Sequence, residues 1–147
     1  MANEDQTAEA NPPKLAGVET VIETLRAQLG KPYKLGAEGP DQFDCSGLVW
    51  FAFHENGLDD LIGGGRHRAR WYAKWFQENG NFTTDAQRAS RGDLVFFGHP
   101  AGVTHVGVYL GQTRNRCISA LVNPYGVTRH RIGGITTPVV GFGQVKF

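Results

Sequence analysis

Apolar positions in the first half of the chain recur at helical spacing; in the second half they gather into short strand-like runs. Leu15, Val18, Ile22, Leu25 and Leu29 fall three and four apart, which predicts an amphipathic helix. Gly30 ends it and Pro32 bars continuation. Leu48-Val49-Trp50-Phe51-Ala52-Phe53 is apolar almost all round, with Asp44 as candidate N-cap and Asn56-Gly57 as stop, so it predicts a buried helix starting at Cys45. Residues 66–77 set Trp71 and Trp75 one turn apart with Tyr72 and Phe76 beside them, a short aromatic helix behind the flexible point Gly63-Gly64-Gly65. Its simpler reading packs the aromatic face on the core and leaves the arginines solvated; the alternative makes it a wall of a substrate cleft.

From Ser90 onward, runs at 92–97, 103–111, 116–122, 127–132 and 139–147 read as strands of a small antiparallel sheet, separated by Gly and Pro. Helices first and strands afterwards make this an α+β domain, not an alternating βαβ one. Residues 1–13, polar and ending in proline, read as a flexible tail, and residues 14–147 as a single domain.

Composition narrows the function. A chain of 147 residues supports one core without staples, and a net charge of +1 gives no reason to expect nucleic acid. No apolar segment reaches membrane-spanning length, and the first residues are unlike a signal peptide. Two cysteines, Cys45 and Cys117, make no disulfide scaffold, and a bridge between them would remove the nucleophile argued next. Cysteine and histidine lack CxxC or HxxxH spacing, so no metal and no cofactor is expected.

Cys45 is the candidate nucleophile. At the first turn of a buried helix, orphan N–H groups and the positive dipole end favour a thiolate. Its base must come from five histidines. His54 lies on the Cys45 helix itself and cannot fold back to the thiol. His67 and His99 sit in loop-like surroundings and read as solvated. His105 opens the strand Thr104-His105-Val106-Gly107-Val108-Tyr109-Leu110-Gly111, where a sheet edge could bring it to the helix start; a structural histidine is the plainer alternative.

Pro32-Tyr33, the Gly36 and Gly39 turn, and Phe43-Asp44-Cys45-Ser46-Gly47-Leu48-Val49 resemble the nucleophile motif of the NlpC-type papain-like cysteine peptidases of bacterial cell walls. Gly92-Asp93-Leu94-Val95-Phe96-Phe97 is similar to that family's first core strand, and residues 104–111 to the strand bearing its catalytic histidine. Three blocks in order span about residues 15–147. The resemblance implies a papain-like fold and hydrolysis of peptidoglycan stem peptides, typically between γ-D-glutamate and the diamino acid. It implies a Cys45–His105 thiolate–imidazolium pair with a bell-shaped pH profile, and an oxyanion held by backbone N–H groups and the Tyr33 hydroxyl. Asp44 and Ser46 would bind the free amino end of the stem, and Asp44 would cap the helix as well.

The family supplies a third polar residue, most often histidine, on the next strand to orient the imidazole. Here Ser119 takes that position, and serine is a poorer orienter. Asn123 competes if a three-residue turn at 113–115 sets positions 105 and 123 opposite one another; otherwise its role is turn chemistry. His130, a strand further, is the third choice. Two other functions stay open: a wall-binding module of this fold that lost turnover, and a Cys-His hydrolase acting on another amide or an ester. A monomer is expected. Delivery to a wall would need a phage, a dedicated exporter, or a longer secreted protein.

Overall fold

α1 (Pro12–Ala27), α2 (Cys45–His54) and α3 (Ala69–Glu78) precede the main strands of an antiparallel sheet. The strands are β1 (Phe82–Thr83), β2 (Leu94–His99), β3 (Gly102–Tyr109), β4 (Arg116–Leu121), β5 (Gly126–Arg131) and β6 (Val139–Gly143). They lie side by side in the order β1-β6-β2-β3-β4-β5. This computed structural model describes residues 12–99 and 101–147. Of the expected tail over 1–13, residues 1–11 lie outside the described residues, and α1 already opens at Pro12. The α+β architecture is as expected.

Helical spacing in α1 buries Val18, Val21, Ile22 and Leu25. The side chain of Leu15 lies outside the described residues. Leu29 is 39% exposed, because the helix stops at Ala27 and the chain turns through Gly30 at φ +91°. In α2 the apolar run buries Leu48, Val49, Ala52 and Phe53 completely, each contributing about 1.5–3 kcal/mol apart from the smaller alanine. α2 and α3 pack on β3, and α1 packs on α2. Only one side of α3 is core: Ala69, Tyr72, Ala73 and Phe76 are buried, while Trp71 leans out.

Alternation divides the sheet into two faces. Leu94, Phe96, Val106, Val108, Ile118 and Ala120 join the helices in the main core. Val95, Phe97, Tyr109, Cys117 and Phe142 form a second cluster. Two differences from the sequence expectation bear on the site. β1 was not anticipated, since two residues carry no readable period; it pairs Phe82 with Gly143 and Thr83 with Phe142. The β3–β4 register sets Val108 opposite Ile118 and Tyr109 opposite Cys117, two residues out of step with a 105–123 pairing. Asn123 therefore falls past the end of β4, in the turn before β5, while Ser119 falls beside Gly107, whose added Cβ would stand 3.0 Å from the Ser119 Cβ.

Candidate active site

The approach to α2 is held by backbone hydrogen bonds. Lys34 N–H donates to the Phe43 carbonyl (3.0 Å), Phe43 N–H to Pro32 (3.1 Å), and Asp44 N–H to Ala37 (2.8 Å). Asp44 is extended, and its Oδ1 accepts the Gly47 N–H at 2.7 Å, the N-cap the sequence predicts. The Ala37 carbonyl lies against the Gly47 Cα with no space for a Cβ, so glycine at 47 lets the incoming turn close over the helix start.

Cys45 is thereby presented, partly buried, at the first turn of α2. Burial pushes its thiol up, and the Asp44 charge adds to this; hydrogen bonds from the backbone of Val106 and Ser46 and the Arg66 charge pull the other way. Burial is the largest of these influences, so their net effect is upward. The contact with Val106 brings the thiol against β3 one residue beyond His105. Tyr33 is also pushed up, first by burial and then by the Cys45 and Asp44 charges. Tyr33, Asp44, Cys45 and Ser46 line one cleft of about 1020 Å³ together with Arg66 and Trp71.

Arg66 is the residue the sequence pattern did not reveal. Its Nη2 donates to Asp44 Oδ1 (2.9 Å) and its Nη1 to Ser46 Oγ (2.8 Å) and the His67 carbonyl (2.7 Å). Its Nε lies 3.5 Å from Glu38. Asp44 Oδ2 accepts the Gly36 N–H at 2.8 Å, and the Ser46 hydroxyl lies 3.3 Å from Oδ1. Both Asp44 and Ser46 are buried, so the guanidinium neutralises a carboxylate held largely out of water. The one available signal was position, directly after three glycines. Tyr72 secures this loop: its hydroxyl donates to the Gly65 carbonyl (2.8 Å) and accepts the His67 N–H (3.1 Å). The two readings of residues 66–77 are thus both realised, with a core side and a cleft side that includes Arg68, Arg70, Trp71 and Lys74.

His105 packs against Phe97, with ring centroids 5.3 Å apart, on the sheet face that carries Cys117. Burial holds its imidazole down to about 4, with the nearby His130 contributing. Its Nε2 is enclosed and has no hydrogen-bond partner among the described residues. Ser119 is completely buried, and its hydroxyl lies 2.7 Å from His130 Nε2. His130 Nδ1 is 2.8 Å from the Arg131 carbonyl, and burial lowers this imidazole too. The other histidines stand apart from this group. His54 stacks on Trp50, His99 ends β2, and His67 is not simply solvated but stacks on Trp71 at 3.4 Å between centroids. Among the described residues there is no group of three or more His, Cys, Asp or Glu able to hold a metal ion, and no helix long and apolar enough to cross a membrane.

A family model described as NlpC/P60 family matches residues 30–135. A probable endopeptidase p60 of Listeria grayi is 38% identical over 130 residues, which is 88% of this chain and 23% of that protein. The chain thus spans about a quarter of that relative's length. A solved structure of NlpC1 from Trichomonas vaginalis superposes with a TM-score of 0.70 at 32% identity, covering 88% of this chain and 44% of the other. That of the peptidoglycan hydrolase RipB from Mycobacterium tuberculosis gives 0.66 at 29% identity, covering 94% and 68%.

Proposed function

The chain belongs to the NlpC/P60 family, and from that premise we propose that it is a peptidoglycan endopeptidase cleaving stem peptides at the γ-D-glutamyl–diamino acid bond, with Cys45 as nucleophile and His105 as base. The observation that carries the reading is the seating of Cys45: a thiol at a helix start, facing a cleft, in contact with the backbone of the residue that follows His105. Relatives named as endopeptidases and as a peptidoglycan hydrolase support the substrate class.

With the thiol pushed up and the imidazole pushed down, the resting pair is neutral. Attack then couples S–C bond formation to transfer of the Cys45 proton to His105. The resulting oxyanion is held by backbone N–H groups at the start of α2, assisted by the Tyr33 hydroxyl. The His105 imidazolium protonates the departing amine, and water, deprotonated by the same imidazole, clears the acyl-enzyme. Asp44 and Ser46 would receive the free amino end of the stem. Among the described residues Asp44 Oδ2 accepts only the Gly36 N–H and so retains acceptor capacity toward an ammonium.

The test is digestion of purified sacculi of several chemotypes by the wild-type chain and Cys45→Ala, with new termini identified by mass spectrometry. The reading expects freed diamino acid amines and new γ-D-glutamyl carboxylates from the wild type alone. Retention of muropeptides without a new amine would mean a binding module, and cleavage confined to other amides or esters would mean a different hydrolase.

A further inference from the structure

We propose that Ser119 and His130 together supply the third member of the machinery, His130 acting as a positioning residue that makes the Ser119 hydroxyl an acceptor for the His105 Nε2–H. This rests on the roles of Cys45 and His105 proposed above. It begins from the orphaned nitrogen: His105 Nε2 is enclosed, away from any substrate, and no described residue meets it. A histidine that takes a thiol proton on one nitrogen must carry a proton on the other. The buried Nε2 is the one that cannot reach substrate, so it is the nitrogen that needs the proton and an acceptor.

The sheet brings one candidate acceptor near. Positions 105, 107 and 109 share a face of β3, and the register sets Ser119 on β4 beside Gly107, diagonal to His105. Glycine at 107 leaves the surface between them free of a side chain. His130 is in turn diagonal to Ser119 across the β4–β5 pairing, in which Cys117 opposes His130 and Ser119 opposes Thr128. Its ring leans back far enough to lie 6.3 Å from Phe97, the ring that His105 also touches.

Serine alone is ambiguous, since its hydroxyl donates or accepts. Its proton could turn toward His105 Nε2 and impose the wrong tautomer. His130 removes the ambiguity. A carbonyl only accepts, so the 2.8 Å contact with Arg131 fixes the proton of neutral His130 on Nδ1. Its Nε2 is then an acceptor, and the 2.7 Å contact obliges the Ser119 hydroxyl to donate there. The remaining oxygen lone pairs are left open; the structure holds no bond from them to His105 Nε2, and the proposed one closes as the imidazolium forms. Cys117 is the other group in contact, with Sγ 3.4 Å from the same His130 nitrogen and hydrogen-bonded to the Ser119 side chain as well; as a weak donor and acceptor it does not displace the hydroxyl from His130.

The test is the His105 tautomer, read by long-range proton–nitrogen NMR on the whole chain, together with steady-state kinetics on stem peptides. The wild type should show the Nε2–H form, shifted toward Nδ1–H in both Ser119→Ala and His130→Ala. Each substitution should lower kcat at least roughly tenfold with KM little changed, and the double variant should be no worse than the single ones. Ser119→Asn, whose amide oxygen accepts directly, should restore turnover and make His130→Ala harmless. A wild-type Nδ1–H tautomer, a tautomer indifferent to His130→Ala, or fully additive losses would overturn the proposal. Should Ser119→Asn fail to fold, the wild-type and His130→Ala spectra decide by themselves. A wild-type chain that frees no amine would instead sink the peptidase reading, while the spectra still judge the relay.

Discussion

Arg66 Nη2 lies 2.9 Å from Asp44 Oδ1, a charge-assisted bond that ties the loop ahead of α3 to the N-cap of α2. The same guanidinium holds Ser46, so the two residues flanking Cys45 are positioned by one side chain 22 residues beyond the aspartate.

Removing that cation should be costly. Arg66→Met leaves a buried Asp44 carboxylate uncompensated, and the expected loss is about 2 kcal/mol, below the figure for fully buried pairs because Arg66 retains some exposure. Arg66→Lys should recover only part of it, since one ammonium cannot reproduce the planar fork that reaches Asp44 and Ser46 together. Urea unfolding of the three proteins checks both statements.

For catalysis, Cys45→Ala should abolish stem-peptide cleavage while leaving the thermal midpoint within a few degrees, because the side chain changes little in size. His105→Ala should cost on the order of 10³-fold or more in kcat, since members of such a group act as a unit. Chromatographic assay of released peptides and a melting curve for each variant supply the comparison.

Acid sensitivity of the fold should trace to His105. Its imidazole titrates near 6.5 when unfolded and is held to about 4 when folded, so between these values the unfolded chain binds the extra proton. Stability is therefore intact above 6.5, falls as pH drops, and by pH 4 has lost about 3 kcal/mol from this one group, at ~1.4 kcal/mol per pH unit. His105→Gln should flatten that part of the pH dependence. Denaturant titrations at pH 7.5 and 4.5 on both proteins isolate the difference.

The rate profile follows from the same environment. A resting thiolate–imidazolium pair gives a bell, but a neutral pair needs only an unprotonated His105. The free-enzyme kcat/KM should rise through an acid limb near 4, in place of one near 6.5, and then run level through neutrality. A sharp bell centred near neutrality would restore the ion-pair mechanism.

Gly47→Ala is expected to disrupt the helix start. Its methyl group would drive into the Ala37 carbonyl, and relief means giving up the Asp44 N–H bond to that carbonyl. A loss of about 1–3 kcal/mol, typical of overpacking, should appear as a lower melting temperature and weakened cleavage.

Local chemistry was legible without a structure. The cap at Asp44, the apolar continuity of α2, the glycine stops and the strand runs each depend on neighbours in the chain, and they mark Cys45 and the β-strand that bears His105. What depends on distance in sequence was not legible. Arg66 looks like any solvated arginine until the fold lays its loop over Asp44, and no periodicity foretells which acid it will meet. The upward push on the Cys45 thiol likewise comes first from burial, which a helix-position argument leaves out.

Register drew the same line within the sheet. The residues 113–115 suggested a turn, yet a two-residue difference in pairing decides whether Asn123 faces His105 or falls in the turn past β4, and only long-range packing selects it. The chain by itself determined a cysteine at a capped helix start and a histidine on a strand, because caps, helices and strand runs are short-range. Tertiary structure decided the partners of each: Arg66 on Asp44, Val106 on Cys45, His130 on Ser119. Those contacts exist only once burial and pairing bring distant residues to a common surface.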